Sequence, residues 1–347
     1  MGDVTSQQLG EAPQRRRDPS MEDVAREAGV SGQTVSRVVN ARGYVGAATR
    51  ERVEAAMQRL GYRPNSAARA LRSGRFRAIG VVMFSFSSYG NQRTLDAIAV
   101  RASQRGYALT LIPVESSARE TVAGAFRRLE EHALDGIIIV IEAHQLDEAD
   151  VEIPDGLPVV LVDSNRGSAH PYVDTDQAQG ARLATEHLLD LGHETVWHVA
   201  GPAESYSAER RRESWRRTLT DRGLVAPEPL QGDWTAESGY RAGLRLRESD
   251  GVTAVFVAND QMAIGVLRAF REVGLDIPGD ISVVGFDGLP DAAQLWPPLT
   301  TVQQHPERVG ALAVDALLSE LDGREPVQTP LVGTELIVRG STAPPRR

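Results

Sequence analysis

Asp23-Val-Ala-Arg-Glu-Ala-Gly29-Val-Ser-Gly-Gln-Thr-Val-Ser-Arg37-Val-Val-Asn40 has the form of two short helices folded across a tight turn. Ser20 and Asp23 are spaced as a capping box that opens a helix over residues 21–28, with Val24 and Ala25 facing inward. Gly29 breaks that helix, and the alanines and valines around it let two helices approach closely. Ser31 is placed to cap a second helix through Asn40, with Val35, Val38 and Val39 on its buried face. Thr49 is placed to cap a third, where Val53, Ala56, Met57 and Leu60 repeat at helical spacing and Gly61 ends it. In a helix-turn-helix unit the second helix enters the DNA major groove. Its non-core face here carries Gln33, Thr34, Ser36 and Arg37. Gln33 and Arg37 are four apart and share a face; glutamine suits adenine and arginine suits guanine.

Charge agrees with this reading. Between Arg15 and Arg77 fourteen arginines stand against six acids, although the whole chain carries −9. A basic front on an acidic body is the electrostatic footprint of a nucleic-acid-binding head attached to another domain. Residues 1–19 are polar, with Pro13, Pro19 and the run Arg15-Arg16-Arg17, and read as a disordered tail. After Pro64, the segment Asn65-Ser-Ala-Ala-Arg-Ala-Leu-Arg72 is too short for a helix that is stable alone in water. Leu71 is its one large apolar side chain, of the kind that wedges into a minor groove. The chain contains no cysteine, which excludes disulfides, a cysteine nucleophile and thiolate-ligated metals. No apolar run approaches the roughly 20 residues of a membrane helix. With no apolar h-region near Met1, a cytoplasmic location is expected.

From Ala78 the pattern changes. Apolar runs at 78–83, 108–114, 136–141, 159–162, 196–200, 252–258 and 281–286 alternate with amphipathic stretches. Such runs are strands buried on both faces, and seven of them suit two parallel-sheet α/β lobes better than one. In open α/β sheets ligands bind beyond the carboxyl ends of strands. There Asp163, Asn259, Asp260 and Asp287 follow apolar runs, polar groups suited to sugar hydroxyls. Arg211 lies on an early helix turn, and Trp234 in Gly232-Asp-Trp-Thr-Ala offers an aromatic face for a pyranose. Each also has a structural reading: Asp260 and Asp287 as helix caps, capping being favoured for Asp260, and Trp234 as core. His193, after Gly192, reads as a helix-end residue.

The motif Asp23-Val-Ala…Gly29-Val-Ser…Thr34-Val-Ser-Arg-Val-Val-Asn40, with Thr49-Arg-Glu-Arg-Val53 and Leu60-Gly-Tyr-Arg-Pro-Asn65, resembles the LacI family of bacterial transcription regulators. The resemblance runs to Val338, nearly the whole chain. It implies an all-α helix-turn-helix head on a two-lobed, periplasmic-binding-protein-like α/β body. It implies a homodimer on double-stranded, pseudo-palindromic operator DNA. The candidate DNA contacts are Ser31, Gln33, Thr34, Ser36, Arg37 and Asn40, with Asn65, Ala68, Arg69, Leu71 and Arg72 from a hinge helix that folds on DNA. Gly32 departs from the family pattern, so a different operator is expected. The implied divisions are a disordered tail (1–19), the head (20–64), hinge helix and linker (65–74), and an effector-binding and dimerisation body (75–340). Within the body the first lobe takes about 75–174 and 306–333, and the second about 175–305 and 334–340. A disordered tail (341–347) closes the chain.

In the body, Val257-Ala-Asn259-Asp-Gln-Met-Ala, Ala200-Gly-Pro…Ser207-Ala…Arg211, Gly232-Asp-Trp234, Val284-Gly-Phe-Asp287 and Pro298-Leu-Thr-Thr…Gln304 resemble the family's effector pocket. The resemblance implies ligand contacts from Asp163, Ser207, Arg211, Trp234, Asn259, Asp287 and Gln304, and favours a galactoside-like sugar that relieves repression of sugar-utilisation genes. Pro306 in place of a pocket phenylalanine, Glu209 in place of an arginine, and the differing stretch 84–93 depart from the pattern. The alternatives are a β-glucoside disaccharide, a nucleobase corepressor, or a sugar-binding transport protein, which would lack a DNA-binding head. No nucleophile elbow, phosphate loop or metal spacing occurs, so no catalytic residue, metal or cofactor is expected. Asp163 and Asp287 as a glycosidase pair are the one enzymatic rival. The C-terminal residues Arg339-Gly-Ser-Thr-Ala-Pro-Pro-Arg-Arg347 hold no heptad, and their prolines oppose a helix, so a dimer without a coiled-coil tail is expected.

Overall fold

The computed structural model describes residues 19–39, 43–63, 74–83, 88–114, 133–140, 156–163, 170–324 and 331–346. Asn40 and the hinge residues Asn65, Ala68, Arg69, Leu71 and Arg72 lie outside them, as do residues 1–18. The chain forms two compact units, Met1–Gly74 and Arg75–Arg347.

The first unit holds three helices: α1 (Met21–Ala28), α2 (Gly32–Val39) and α3 (Ala47–Leu60). The capping box is formed in both directions. The Asp23 amide donates to Ser20 Oγ (3.3 Å) and the Ser20 amide donates to Asp23 Oδ2 (2.9 Å). Gly29 ends α1 with φ of 63°, a left-handed conformation that costs a side-chain-bearing residue energy. Ser31 caps α2, accepting from the Thr34 amide (3.2 Å). Thr49 does not cap α3. The helix starts two residues earlier, behind Gly46, and the Thr49 amide donates to the Gly46 carbonyl (3.0 Å). Ala47 and Ala48, strong helix formers, extend the first turn past the residue with the better capping side chain. Val24, Ala25, Ala28, Val35, Val38, Val53 and Ala56 form the core, and Val39, Met57 and Leu60 pack at its margin.

The second unit carries two sheets. The first has the order β2 (Ala108–Pro113), β1 (Ala78–Met83), β3 (Gly136–Val140), β4 (Val159–Val162), β5 (Tyr172–Val173), all parallel. The second has the order β11 (Glu335–Ile337), β10 (Thr300–Gln303), β9 (Ser282–Asp287), β8 (Ala254–Val257), β6 (Trp197–Ala200), β7 (Leu230–Gln231), parallel except at β11. The runs of Val and Ile are buried along their whole length, as parallel strands covered on both faces require. The short strands β5, β7 and β11 and the Thr-rich β10 were not among the expected runs.

Helices α4 (Tyr89–Gln104) and α9 (Pro306–Leu321) pack on one face of the first sheet through Ile98, Ala102, Val309, Ala313 and Leu317. On the second sheet, α5 (Gln177–Asp190) and α6 (Tyr206–Asp221) bury Leu188, Trp215 and Leu219 against Phe256 and Phe286. On its other face α7 (Ala236–Arg247) and α8 (Asp260–Glu272) bury Leu246, Val266 and Phe270. No described helix is long and apolar enough to cross a membrane.

Two expectations fail on this lobe. Residues 341–346 are not a free tail. Ser341 Oγ donates to the Val283 carbonyl (2.6 Å), the Ala343 amide donates to Ser282 Oγ (3.0 Å), and Arg346 pairs with Asp276 and Asp280 (2.6 Å each). The prolines forbid a helix there, but side-chain and backbone groups of β9 take up the extended segment. His193 likewise does not serve a helix end with its ring. It bridges Thr253 Oγ1 (2.9 Å) and the Ala343 carbonyl (3.0 Å), stitching that segment to the lobe.

Candidate functional site

On α2, Val35 and Val38 are buried while Gln33 and Arg37 are exposed and Thr34 and Ser36 are half-buried. The 3.6-residue period therefore separates a core face from a polar one. Exposed Ser31 shares a hydrogen bond with Thr34, oxygen to oxygen at 2.9 Å.

In the body, residues following strand after strand meet in one cleft of about 570 Å³, part of it open to solvent. Asp163 follows β4, Ser207 follows β6, Trp234 follows β7, Asn259 follows β8, Asp287 ends β9 and Gln304 follows β10. All of these, with Arg211 on α6, line that one cleft. Both sheets reverse their strand order there, between β1 and β3 and between β6 and β8, the crevice where an open α/β sheet accepts ligand. The cleft also takes in residues that sequence reasoning missed: Ser88, Asn91 and Thr94 on one side, and Asp174, Thr175 and Gln177 at the crossing between lobes.

Arg211 organises the cleft floor. It is only 4% exposed. Its Nε donates to Gln177 Oε1 (2.8 Å), and its Nη1 donates to the Ala258 carbonyl and stands 3.7 Å from Asp287 Oδ1. The guanidinium lies over the Phe286 ring, 3.8 Å from its centroid, and 5.4 Å from that of Trp234. Gln304 Nε2 donates to Asp287 Oδ1 (2.7 Å). Asn259, not Asp260, caps α8: its Oδ1 accepts from the Met262 amide (2.8 Å) and its Nδ2 donates to the Trp234 carbonyl (3.1 Å). Asp260 is turned inward and accepts from Thr301 Oγ1 (2.6 Å) and the Leu289 amide (2.8 Å). Two cap-forming residues stand side by side, and only the first has the extended backbone of a cap. Asp174 accepts from the Thr175 amide (2.7 Å) and pairs with Arg210 of α6, tying the end of β5 to the second lobe.

The backbone is strained at this place. Among the described residues, positive φ outside glycine occurs at Arg77, Asp163 (54°), Trp234 (71°) and Asp287 (119°), and the last three line the cleft. Such strain gathers at functional sites because the surrounding structure must hold it. Gly201 belongs to the same arrangement, since a Cβ there would run into the Trp234 ring.

Burial raises the carboxyls. Asp163 and Asp287 rise to about 6, each moderated by Arg211 and, for Asp163, first by Arg210. Asp260 rises to about 8 through burial and the repulsion of Asp287. Asp163 Oδ1 is buried without a hydrogen-bond partner among the described residues, an acceptor waiting for a donor. The helix N-termini capped by Ser88 and Asn259, both of which line the cleft, oppose part of this negative charge.

The sign of the pH dependence follows. A carboxyl with a folded pKa above its unfolded value of about 4 binds more protons when folded, so stability falls as pH rises between the two values. Asp260→Asn removes one such group over roughly pH 4 to 8. The decline of melting temperature from pH 5 to 8 should flatten in the variant; an unchanged slope would contradict the assignment. Buried His198, held down to about 3, acts oppositely: its contribution is lost as pH falls from about 6.5.

Comparison with known proteins fits this geometry. Residues 20–65 match the bacterial regulatory proteins of the lacI family, and residues 185–342 match the periplasmic binding protein-like domain. The chain is 38% identical over 325 residues to the lactose operon repressor of Escherichia coli (strain K12), covering 93% of this chain and 90% of that protein. The lac repressor dimer bound to operator and the anti-inducer ONPF superposes with a TM-score of 0.84 at 36% identity, over 94% of this chain and 100% of that one. The transcriptional regulator CelR in its cellobiose complex follows with a TM-score of 0.68 at 31% identity, over 93% and 99%.

Proposed function

Because the chain belongs to the LacI family of bacterial regulatory proteins, DNA-binding transcriptional regulators, we propose that it represses sugar-utilisation genes and releases its operator when a galactoside-like sugar enters the body cleft. The observation that carries this reading is the meeting of Asp163, Ser207, Arg211, Trp234, Asn259, Asp287 and Gln304 around one cavity. Their donors and acceptors match a ring of hydroxyls, and Trp234 matches its apolar face. On the head, Ser31, Gln33, Thr34, Ser36, Arg37 and Asn40 read the major groove, and Asn65, Ala68, Arg69, Leu71 and Arg72 form the hinge that meets the minor groove. The head occupies 20–64, the hinge and linker 65–74 and the two-lobed body 75–340. The chain works in the cytoplasm as a homodimer, two-fold symmetry matching two half-sites.

The protein acts by binding and not by catalysis. Asp163 and Asp287 receive sugar hydroxyls instead of cleaving a glycosidic bond, so a chromogenic galactoside remains intact on incubation. Sugar and operator oppose each other with a coupling of order 1–3 kcal/mol, the same whichever ligand is added first. Titrating operator DNA with and without galactosides tests this: operator affinity falls with an effective sugar, and a set of sugars that leaves it unchanged removes the sensor reading. Arg37→Ala weakens binding by about 1–3 kcal/mol and relaxes selectivity at one base pair. Uniform weakening across sequences would instead assign Arg37 to the phosphates.

A further inference from the structure

We infer that α9 carries the sugar's effect from the cleft to the segment that joins head and body, and that Asp135 and Asp322 are the positioning residues which fasten that segment to it. The inference deepens the sugar-sensor reading and rests on it, but it concerns the far end of α9. The helix begins at the cleft, where Pro306 and Val309 line the cavity. It then runs sixteen residues, about 24 Å at 1.5 Å per residue, to Leu321 and its cap Asp322. Val309, Ala313, Val314 and Leu317 are buried in the core of the first lobe. Gly310 lies so close to α4 that a Cβ there would stand 2.7 Å from the Thr94 carbonyl. A helix packed this tightly passes a displacement of its first turn on to its last.

The chain enters the body at that last turn. Gly74 closes the first unit and Arg75 opens the second. Arg75 Nη2 donates to the Leu321 carbonyl (2.8 Å) and to Asp322 Oδ1 (2.9 Å), a cation at the negative end of α9. The Phe76 and Arg77 amides donate to the two oxygens of Asp135 (2.7 Å each). Asp135 adjoins Gly136, where a Cβ would stand 2.9 Å from Leu317 of α9. Three successive residues are thus gripped by groups on or against the last turns of one helix. Entry into β1 does not by itself require so much. A segment fixed by apolar burial would bury Phe76, which is 47% exposed. Arg77 is held at φ of 55°, a conformation that costs a side-chain-bearing residue energy and persists where surrounding contacts impose it.

Duplex affinity of the full chain, with and without sugar, tests this. The probes are a duplex that the chain selects from a random pool, and lactose, cellobiose and isopropyl β-thiogalactoside. In the parent, the most effective of the three is expected to weaken duplex binding by about fivefold or more. Asp322→Ala, Arg75→Ala and Asp135→Asn are each expected to bring that ratio close to one, while calorimetry finds sugar affinity unchanged. The Asp322 and Arg75 side chains are 35% and 38% exposed; such a pair fixes a position but adds little to stability, so these two variants fold, as melting temperature checks. Combining them should cost no more of the response than Arg75→Ala alone, because both act through one contact. Folded variants that keep the parent's ratio would overturn the inference and leave the sugar-sensor reading standing, and so would variants that lose sugar affinity itself. If none of the three sugars changes the parent's duplex affinity, both fall together.

Discussion

Arg211→Met is expected to abolish the response to sugar while operator affinity stays within about twofold of the parent. The guanidinium joins Gln177, the Ala258 carbonyl and Asp287 on the buried side of the cleft. Removing one member of a buried charge pair leaves the other uncompensated, at a cost of about 3–5 kcal/mol. Here the stranded group is Asp287, with Asp163 close enough to feel the same loss. Both already sit near the point of neutralisation, so the variant protonates them and the site changes from ionic to neutral. A sugar then loses the guanidinium and two strong acceptors, and affinity falls by a hundredfold or more. Arg211→Lys should not rescue, because a single ammonium cannot reproduce a planar fork that bonds in two directions and stacks on Phe286. Calorimetry reads the sugar affinity, and operator binding with and without sugar reads the response. Retention of a sugar-dependent change in operator affinity would show that Arg211 is not central to the cleft.

Val35→Asp makes the opposite separation. Val35 is fully buried, with 0% exposure, in a core formed by short helices. Among the described residues the core around it is apolar, and the cost of an unpaired buried charge exceeds the few kcal/mol that so small a domain can muster. The head unfolds and operator binding is lost entirely. The body forms its own compact unit, so its melting transition and sugar affinity should match the parent. A loss of sugar binding in this variant would show that the two units do not fold independently.

The contrast between strands and cleft shows which parts of the structure were legible in the amino-acid order. Residues 78–83 and 159–162 were legible as strands because they are short apolar runs rich in valine, too brief for a helix of ordinary length. Strand β10 escaped because two threonines after Pro297 and Pro298 look like loop, and β5, β7 and β11 are too short to show a period. The second-lobe side of the cleft was readable because its polar residues stand where apolar runs stop. Ser88, Asn91 and Thr94 were not, since a polar residue on a helix looks like surface until the neighbour of that face is known. Asp260 misled for a related reason: composition identifies a capping pair, but only backbone geometry says which member caps.

Asp163, Asn259 and Gln304 stand within two residues of the ends of β4, β8 and β10, so part of the cleft is assembled from strand tips. Asp163 and Gln304 lie outside the strand ladders, so exchanging either leaves the pairing of both sheets untouched. Substitutions at such tips can therefore change what the cleft accepts while the sheets that frame it persist.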